Sequence, residues 1–306
     1  MRIGRAAGQT DTGRRRRQNE DAFVCEPPLF AVADGMGGAQ AGELASGLAA
    51  AAIEEGARAI QGEESVAGVV RTANARIFEH STRDPTAAGM GTTATVAYVD
   101  EQAETATLAH VGDSRAYRYR DGALEQLTTD HSLVGELVRS GRLTEAEAAV
   151  HPHRSVITRA LGTDADVEVD TLTVDLLPGD LVLLCSDGLS AMVRDDEIVG
   201  LLETAGSDPH DAAEALVAAA NRAGGEDNVT VVLFELVEGE PVPRPAPSAP
   251  PEARSAAKTE PLAADPETVE DVRRWGAGKG SRWPALLFLL AVLAIAAFLL
   301  WWSLVR

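Results

Sequence analysis

The sequence has few cysteines, few lysines and few aromatic residues, and each shortage excludes something. Two cysteines, Cys25 and Cys185, in 306 residues argue against both a disulfide scaffold and a zinc site. The only lysines are Lys258 and Lys279, so residues 1–237 have arginine as their sole strong cation. Arginine grips phosphate bidentately where lysine cannot, although GC-rich coding, which fits the abundant alanine, accounts for most of these arginines. Aromatics make up 4% of the chain against 45% hydrophobic residues, so a sizeable core must be aliphatic, and general disorder is excluded. Positive charge is also short: 27 Lys+Arg against 47 Asp+Glu leave a formal charge of −20. That balance argues against nucleic acid as a partner, since wrapping its backbone needs clustered Lys and Arg. The opening MRIGRAAGQT runs into polar sequence rather than an apolar core, so no N-terminal export signal is expected.

Three segments are expected: a folded unit at 1–237, a Pro/Ala-rich linker at 238–282 and a membrane helix at 284–305. The last two hold 8 acidic and 8 basic residues from Glu238 onward, so the whole excess of −20 lies on residues 1–237. The linker carries eight of the fifteen prolines and almost no large apolar side chain, a composition that stays extended and cannot bury a core. Ala285 to Val305 is 21 residues with Ser303 as the one polar member. As a helix it would be roughly 31 Å long, the thickness of a bilayer core. Trp283, Trp301 and Trp302 stand at its ends, at headgroup level. Arg273, Arg274, Lys279 and Arg282 precede the span and only Arg306 follows. The positive-inside rule then predicts a single-pass protein of the cell membrane with its folded unit in the cytoplasm, where unpaired cysteines are at home.

Within 1–237, six apolar or β-branched runs read as buried strands: those starting at Leu29, Thr92, Thr105, Arg115, Asp180 and Val229. Helical spacing predicts helices over Ala41–Ile60, Ser65–Ser81, Asp195–Glu203 and Pro209–Arg222, with Leu44, Leu48, Ala51, Ala52 and Ile53 as the apolar stripe of the first. Strands in runs with helix pairs outside them predict an α+β layered domain rather than a βαβ alternation. The polar stretch His131 to Arg159 reads as an insertion of one or two short helices, a candidate lid or flap.

The chemistry is carried by aspartates at strand ends. Phe30-AVA leads into Asp34-GMGG, Ala106-TLAHVG into Asp113-SR, Leu181-VLLCS into Asp187-GLS, and Asp227-N precedes Val229-TVVLFEL. One Asp-Gly beside a strand is an ordinary turn. Four can converge at one edge of a sandwich, where carboxylates raise one another's pKa unless a cation neutralises them. Oxygen ligands without His or Cys select hard ions, magnesium or manganese. Arg14-RRRQNED supplies arginine next to acids, and its alternative reading is a solvated basic stretch. Two hard metals about 3.5–4 Å apart, sharing a bridging water, with an arginine for phosphate, describe hydrolytic phosphoryl transfer. Cys185, inside an apolar strand, reads as inert core.

These motifs resemble the metal-dependent type 2C (PPM-type) serine/threonine protein phosphatases, in a bacterial membrane-anchored form. The resemblance rests on Arg16-RQNED, Asp34-GMGG, Gly91-TTATV, His110-VGDSR, His151-PHRSVITRALG, Cys185-SDGLS and Gly224-GEDNVTVV, in that order, and spans 1–237. It implies a four-layer α-β-β-α sandwich of two antiparallel sheets flanked by helix pairs, with the metal site at one end, preceding the C-terminal membrane helix. It implies two to three Mn or Mg ions: Asp34 bridging two of them, the Gly35 carbonyl on one, Asp187 and Asp227 completing the second, and Asp113 with Asp187 holding a third. It further implies Arg16 as the phosphate-binding residue, working with Asp34 in catalysis, and Glu20 and Asp21 supporting the metals and their waters. The implied reaction is hydrolysis of phosphoserine and phosphothreonine in proteins, reversing membrane Ser/Thr kinase signalling.

One position departs from some members of that family, where a histidine proposed as general acid stands at the place of Met36, which transfers no proton. His131, His151 and His153 lie in the flap, but each reads as a surface or packing histidine, so the acid stays unassigned. Two other readings stay open at this level: an inactive relative serving as a binding module, against which the full aspartate set speaks, and a small-molecule or nucleotide hydrolase, for which no GxxxxGK[ST] loop is present.

Overall fold

The structure, a computed structural model, describes residues 1–60, 62–206 and 208–241. The predicted span at 284–305 and nearly all of the predicted linker lie outside these residues. Among the described residues no helix is long and apolar enough to cross a membrane.

Among the described residues, eleven strands form two antiparallel sheets. The first sheet orders β1 (Arg2–Asp11), β11 (Val229–Val237), β10 (Leu181–Cys185), β7 (Arg115–Arg120) and β8 (Ala123–Gln126). The second orders β2 (Asp21–Glu26), β3 (Leu29–Met36), β5 (Ala94–Asp100), β6 (Thr105–Val111) and β9 (Asp170–Asp175), with the short β4 (Gly91–Thr92) on the end of β3. Every run read as a strand is found. The four strands that sequence reading missed, β1, β2, β8 and β9, are the four edges of the two sheets. Edge strands here are only part-buried, as in the exposed-intermediate pattern of β9, Asp-Thr-Leu-Thr-Val-Asp. They therefore lack the continuous apolar run of β10, whose five residues are all buried. The run from Thr92 is also two strands, because Thr93 breaks from the ladder to donate its N–H to the Asp34 carbonyl at 2.9 Å.

Three apolar layers make this a four-layer α-β-β-α sandwich. Phe30, Val32, Leu108, Val182, Leu184 and Phe234 fill the space between the sheets. The rings of Phe30 and Phe234 stack there with centroids 4.0 Å apart. Helices α1 (Ala39–Gly56) and α2 (Glu63–Arg83) cover the second sheet through Ala45, Ala49, Ile53, Val66, Val70 and Ile77. After the flap helices α3 (Leu133–Arg139) and α4 (Glu145–Ala149) and the single-turn α5 (Asp187–Ser190), helices α6 (Asp195–Thr204) and α7 (Pro209–Ala223) cover the first sheet. Ile198, Leu202, Leu216 and Ala220 face inward from that pair. The aromatic shortage is thus met by alanine, which lets helices approach sheets closely.

The predicted stripe of α1 is displaced. Leu44 and Leu48 are half-buried and Ala51 is exposed, whereas Ala41, Gly42, Ala45, Ser46, Ala49, Ala52 and Ile53 are buried. The small face wins because α1 sits almost on the strand ends below it. A Cβ at Gly42 would lie 2.0 Å from a Glu20 carboxylate oxygen, and one at Gly35 would lie 2.2 Å from the Gly42 carbonyl. The insertion at 131–159 holds two short helices, as expected. It is closed at its base by the Ser132–Ile157 bridge, with Ser132 capping α3 and a Thr144/Glu147 capping box on α4.

Candidate metal centre

The chain order of the sheets brings all the predicted carboxylates to one end of the sandwich. Asp21 opens β2 directly opposite Asp34 on β3. Asp34 is not at the strand boundary, as sequence reading had it, because β4 extends β3 to Met36. Asp113 lies in the turn from β6 to β7, and Asp187 begins the turn of helix that follows β10. Asp227 precedes β11, delivered there because Gly224 and Gly225 take up φ of 145° and 55° and end α7.

Below the carboxylates lies a layer of buried hydroxyls that separates them from the apolar core. Ser186 and Thr230 donate to one Asp21 oxygen at 2.9 and 2.6 Å. The buried Thr93 hydroxyl meets that of Ser114 at 2.7 Å, and the exposed Thr10 on β1 meets Thr230 on the neighbouring β11 at 2.7 Å. Sequence reading missed these positions; the only trace of them is a Ser or Thr inside otherwise apolar runs.

The carboxylates face one another, and among the described residues only Asp227 of the set forms an ion pair, with Arg16. Burial, with the fields of neighbouring aspartates, pushes Asp21 up to about 7, Asp113 to about 8 and Asp187 to about 6. Asp34 is held well above the ordinary range by burial and by Asp21, Asp187, Asp113 and Asp227 together. Among the described residues, four buried side-chain oxygen atoms have no hydrogen-bond partner, and three belong to Asp21, Asp113 and Asp187. Buried acceptors are rarely left unpaired, so these three ask for a ligand, and the all-oxygen donor set fits a hard divalent ion. Among the described residues no three His, Cys, Asp or Glu side chains by themselves form a group that could hold a metal ion. An ion held here would add water and main-chain oxygens to these carboxylates, a shell that suits magnesium and manganese.

Arg16 and Glu20 belong to the same cluster. Arg16 is half-exposed and donates to Asp227 at 2.6 Å. Its partial desolvation is outweighed by Asp227, Glu20 and Asp34, which hold its pKa above the usual value. Glu20 is buried beside Gly42, and burial raises its carboxyl.

Asn228 is a further site residue, one whose place beside Asp227 in the sequence carries no sign of its role. Its amide donates to the carbonyls of Thr12 and Gln18 at 2.9 Å each, and its oxygen accepts the Glu20 N–H at 2.8 Å. The loop carrying Arg16 is thus closed by one side chain. Asn228→Ala should cost about 2–3 kcal/mol of stability, one increment per lost buried bond, and should raise KM as Arg16 loses its anchor. Denaturant unfolding and steady-state kinetics measure both.

Of the flap histidines, His131 is a buried packing residue. Its Nδ1 accepts the Gly112 N–H at 3.0 Å, so Nε2 carries the proton and donates to Asp170 at 3.2 Å. His151 and His153 lie edge to face at the flap surface. Met36 packs over Gly91, where its methyl would lie 2.8 Å from an added Cβ. Cys185 is fully buried, and burial pushes its thiol up to about 12, in keeping with inert core.

The family model described as protein phosphatase 2C matches residues 9–229. The chain belongs to the protein phosphatase 2C family. Among curated phosphatase 2C relatives, the serine/threonine phosphatase stp of Listeria monocytogenes is 39% identical over 239 residues, covering 74% of this chain and 94% of that protein. Among solved structures, the serine/threonine phosphatase PstP/Ppp of Mycobacterium tuberculosis superposes with a TM-score of 0.73 at 39% identity, covering 77% of this chain and 100% of that one. A PstP catalytic domain solved in complex with 2 manganese ions superposes with a TM-score of 0.71 at 38% identity, covering 77% and 99%. The phosphatase 2C domain of this chain thus shares its fold with enzymes that hold manganese.

Proposed function

We propose that the chain is a metal-dependent protein-serine/threonine phosphatase that uses manganese or magnesium. The observation that carries this reading is the set of unpaired, buried Asp21, Asp113 and Asp187 oxygens around Asp34, with Arg16 at the rim. Asp34, Asp187, Asp227 and the Gly35 carbonyl would hold two ions, and Asp113 with Asp187 a third. When bound, the ions supply Lewis acidity toward phosphoryl oxygens and lower the pKa of water. Arg16 offers its guanidinium to the phosphate after exchanging its Asp227 contact. The hydroxyl layer fixes Asp21, and Asn228 fixes the arginine loop, so the charged groups are aimed before substrate arrives. Met36 has no proton to give, so the leaving alcohol takes its proton from another source.

Phosphate release from a phosphothreonine peptide, with manganese and then with a chelator, tests the reading. Release with manganese and none with chelator is expected; equal rates in the two conditions overturn it. Arg16→Ala should mainly raise KM, by about tenfold or more, because a phosphate contact made in ground and transition states alike is uniform binding. A loss confined to kcat contradicts that role.

The reading extends to the tail on the strength of its sequence. The apolar run 285–305 and the basic residues before it would tether the phosphatase beneath the cell membrane, facing the cytoplasm. A tether raises the local concentration of membrane-bound Ser/Thr kinases as substrates without adding contacts. Removing residues 238–306 should move the protein out of the membrane fraction and slow turnover of membrane-kinase phosphosites. Unchanged fractionation and turnover would count against it.

A further inference from the structure

The phosphatase 2C domain is strongly acidic, yet its arginines beside the metal centre are arranged differently from the rest. Elsewhere most arginines are tied down: Arg5 to Glu235, Arg76 to Glu55, Arg115 to Asp130, Arg118 to Glu125 and Arg120 to Asp180. Arg14, Arg15 and Arg17 flank Arg16 in one exposed run, and among the described residues none of the three makes a side-chain ion pair. Their loop is not loose. Gly13 turns it with a φ of 79°, the N–H groups of Arg14 and Arg15 donate to the Gly225 carbonyl at 2.7 and 3.1 Å, and Asn228 holds the carbonyls on either side. Three uncommitted cations are therefore presented from a fixed backbone beside the phosphate-binding arginine.

The flap adds a fourth. Arg154 reaches across to Glu226, the neighbour of Asp227, at 3.2 Å, with both side chains about half exposed (44% and 56%). Exposed pairs of this kind contribute little and open readily, so Arg154 is available to a ligand entering between flap and loop.

We infer that this rim is a second anion subsite, and that the phosphatase favours phosphorylated segments carrying another negative group near the phosphoresidue. The inference deepens the phosphatase reading and rests on it. The ligand chemistry is an oxyanion, supplied either by a glutamate or aspartate side chain or by a second phosphate; arginine forks suit both. An acidic domain repels such segments at long range, so a local cluster is what makes them acceptable, and its effect must weaken with salt.

The test uses the manganese-loaded full chain and three phosphothreonine peptides of equal length: one with neutral flanks, one with glutamate flanks and one with a second phosphothreonine. The readout is the kcat/KM ratio of each charged peptide to the neutral one, taken within each protein so that a general loss of activity cancels. Hydrolysis of the neutral peptide tests the phosphatase reading separately. For the unaltered protein at low salt the ratio should be about tenfold, falling toward one at high salt. Preference for both charged peptides assigns the subsite to carboxylates and phosphates alike, and preference for the doubly phosphorylated one alone assigns it to a second phosphate. The double variant Arg15→Ala/Arg17→Ala should lose most of the preference, and Arg15→Lys/Arg17→Lys should keep much of it. A ratio near one in the unaltered protein, or one untouched by the alanine variant, overturns the proposal.

Discussion

Asp34→Asn, and separately Asp187→Asn, should lower the rate of phosphate release by roughly 10³-fold or more, since several kcal/mol of transition-state stabilisation go with a lost metal carboxylate. The substitution is nearly isosteric, so packing against the Thr93 hydroxyl and the opposite Asp21 register survives. What changes is charge. Asp34 lies in the fields of Asp21, Asp187, Asp113 and Asp227, so in chelator its charge repels theirs, and an asparagine there can still hydrogen-bond Asp187 as Asp34 does. The variant's metal-free unfolding midpoint should therefore equal or exceed that of the parent while its activity collapses. Opposite movement of stability and activity is the signature of a group placed for its ligand. Near-normal activity shows that the ions are held elsewhere, and a large drop in metal-free stability shows that Asp34 serves the fold.

The second large effect is in the dependence of stability on pH and metal. Without ions, Asp21, Asp113 and Asp34 titrate well above the unfolded carboxylate value of about 3.9, with Asp21 near 7 and Asp113 near 8. A raised carboxyl means that the folded state binds a proton that the unfolded state has lost. The stability it contributes is full at low pH and drains away as pH rises through the folded pKa. His110, lowered to about 4 by burial and then by His131, and His131, lowered by burial, act in the opposite sense, adding stability as pH rises toward the unfolded histidine value. Their contribution is complete near pH 6.5, so the interval from about 6.5 to 8 belongs to the aspartates. There the chelated protein should lose several degrees in midpoint, and saturating manganese should restore more at pH 8 than at pH 6.5, because fewer protons need displacing. A chelated midpoint that rises across this interval contradicts the assignment of the cluster.

The agreement between sequence and structure is uneven for physical reasons. Interior strands such as Leu181–Cys185 and Val229–Val237 announce themselves because both faces are covered and every residue can be apolar. The edge strands Arg2–Asp11 and Asp170–Asp175 carry polar and part-exposed residues and are specified mainly by the partner they pair with. The α1 helix was legible in extent but not in orientation. Leu44 and Leu48 are the larger hydrophobes, yet contact with Gly35 and Glu20 admits only the glycine, alanine and serine face. Asn228 and the hydroxyl layer of Thr93, Ser114, Ser186 and Thr230 were invisible as functional residues, because their partners lie up to 216 positions away in sequence.

By itself the sequence determined the chemical class of this protein. Aspartates at the ends of apolar strands, with arginine as the only strong cation of the domain and no histidine or thiolate set, leave hard-metal phosphoryl chemistry as the consistent reading. The tertiary structure decided which groups act as a unit. Asp21 and Asp34 are opposed only by β-pairing, Asp227 reaches Arg16 only because two glycines end α7, and Arg14 to Arg17 become a fixed rim through Asn228 and the Gly225 carbonyl. Local sequence sets what each side chain can do, whereas fields and hydrogen bonds fall off within a few ångströms, so the carboxylates of the centre become one site only where the two sheets bring their ends together.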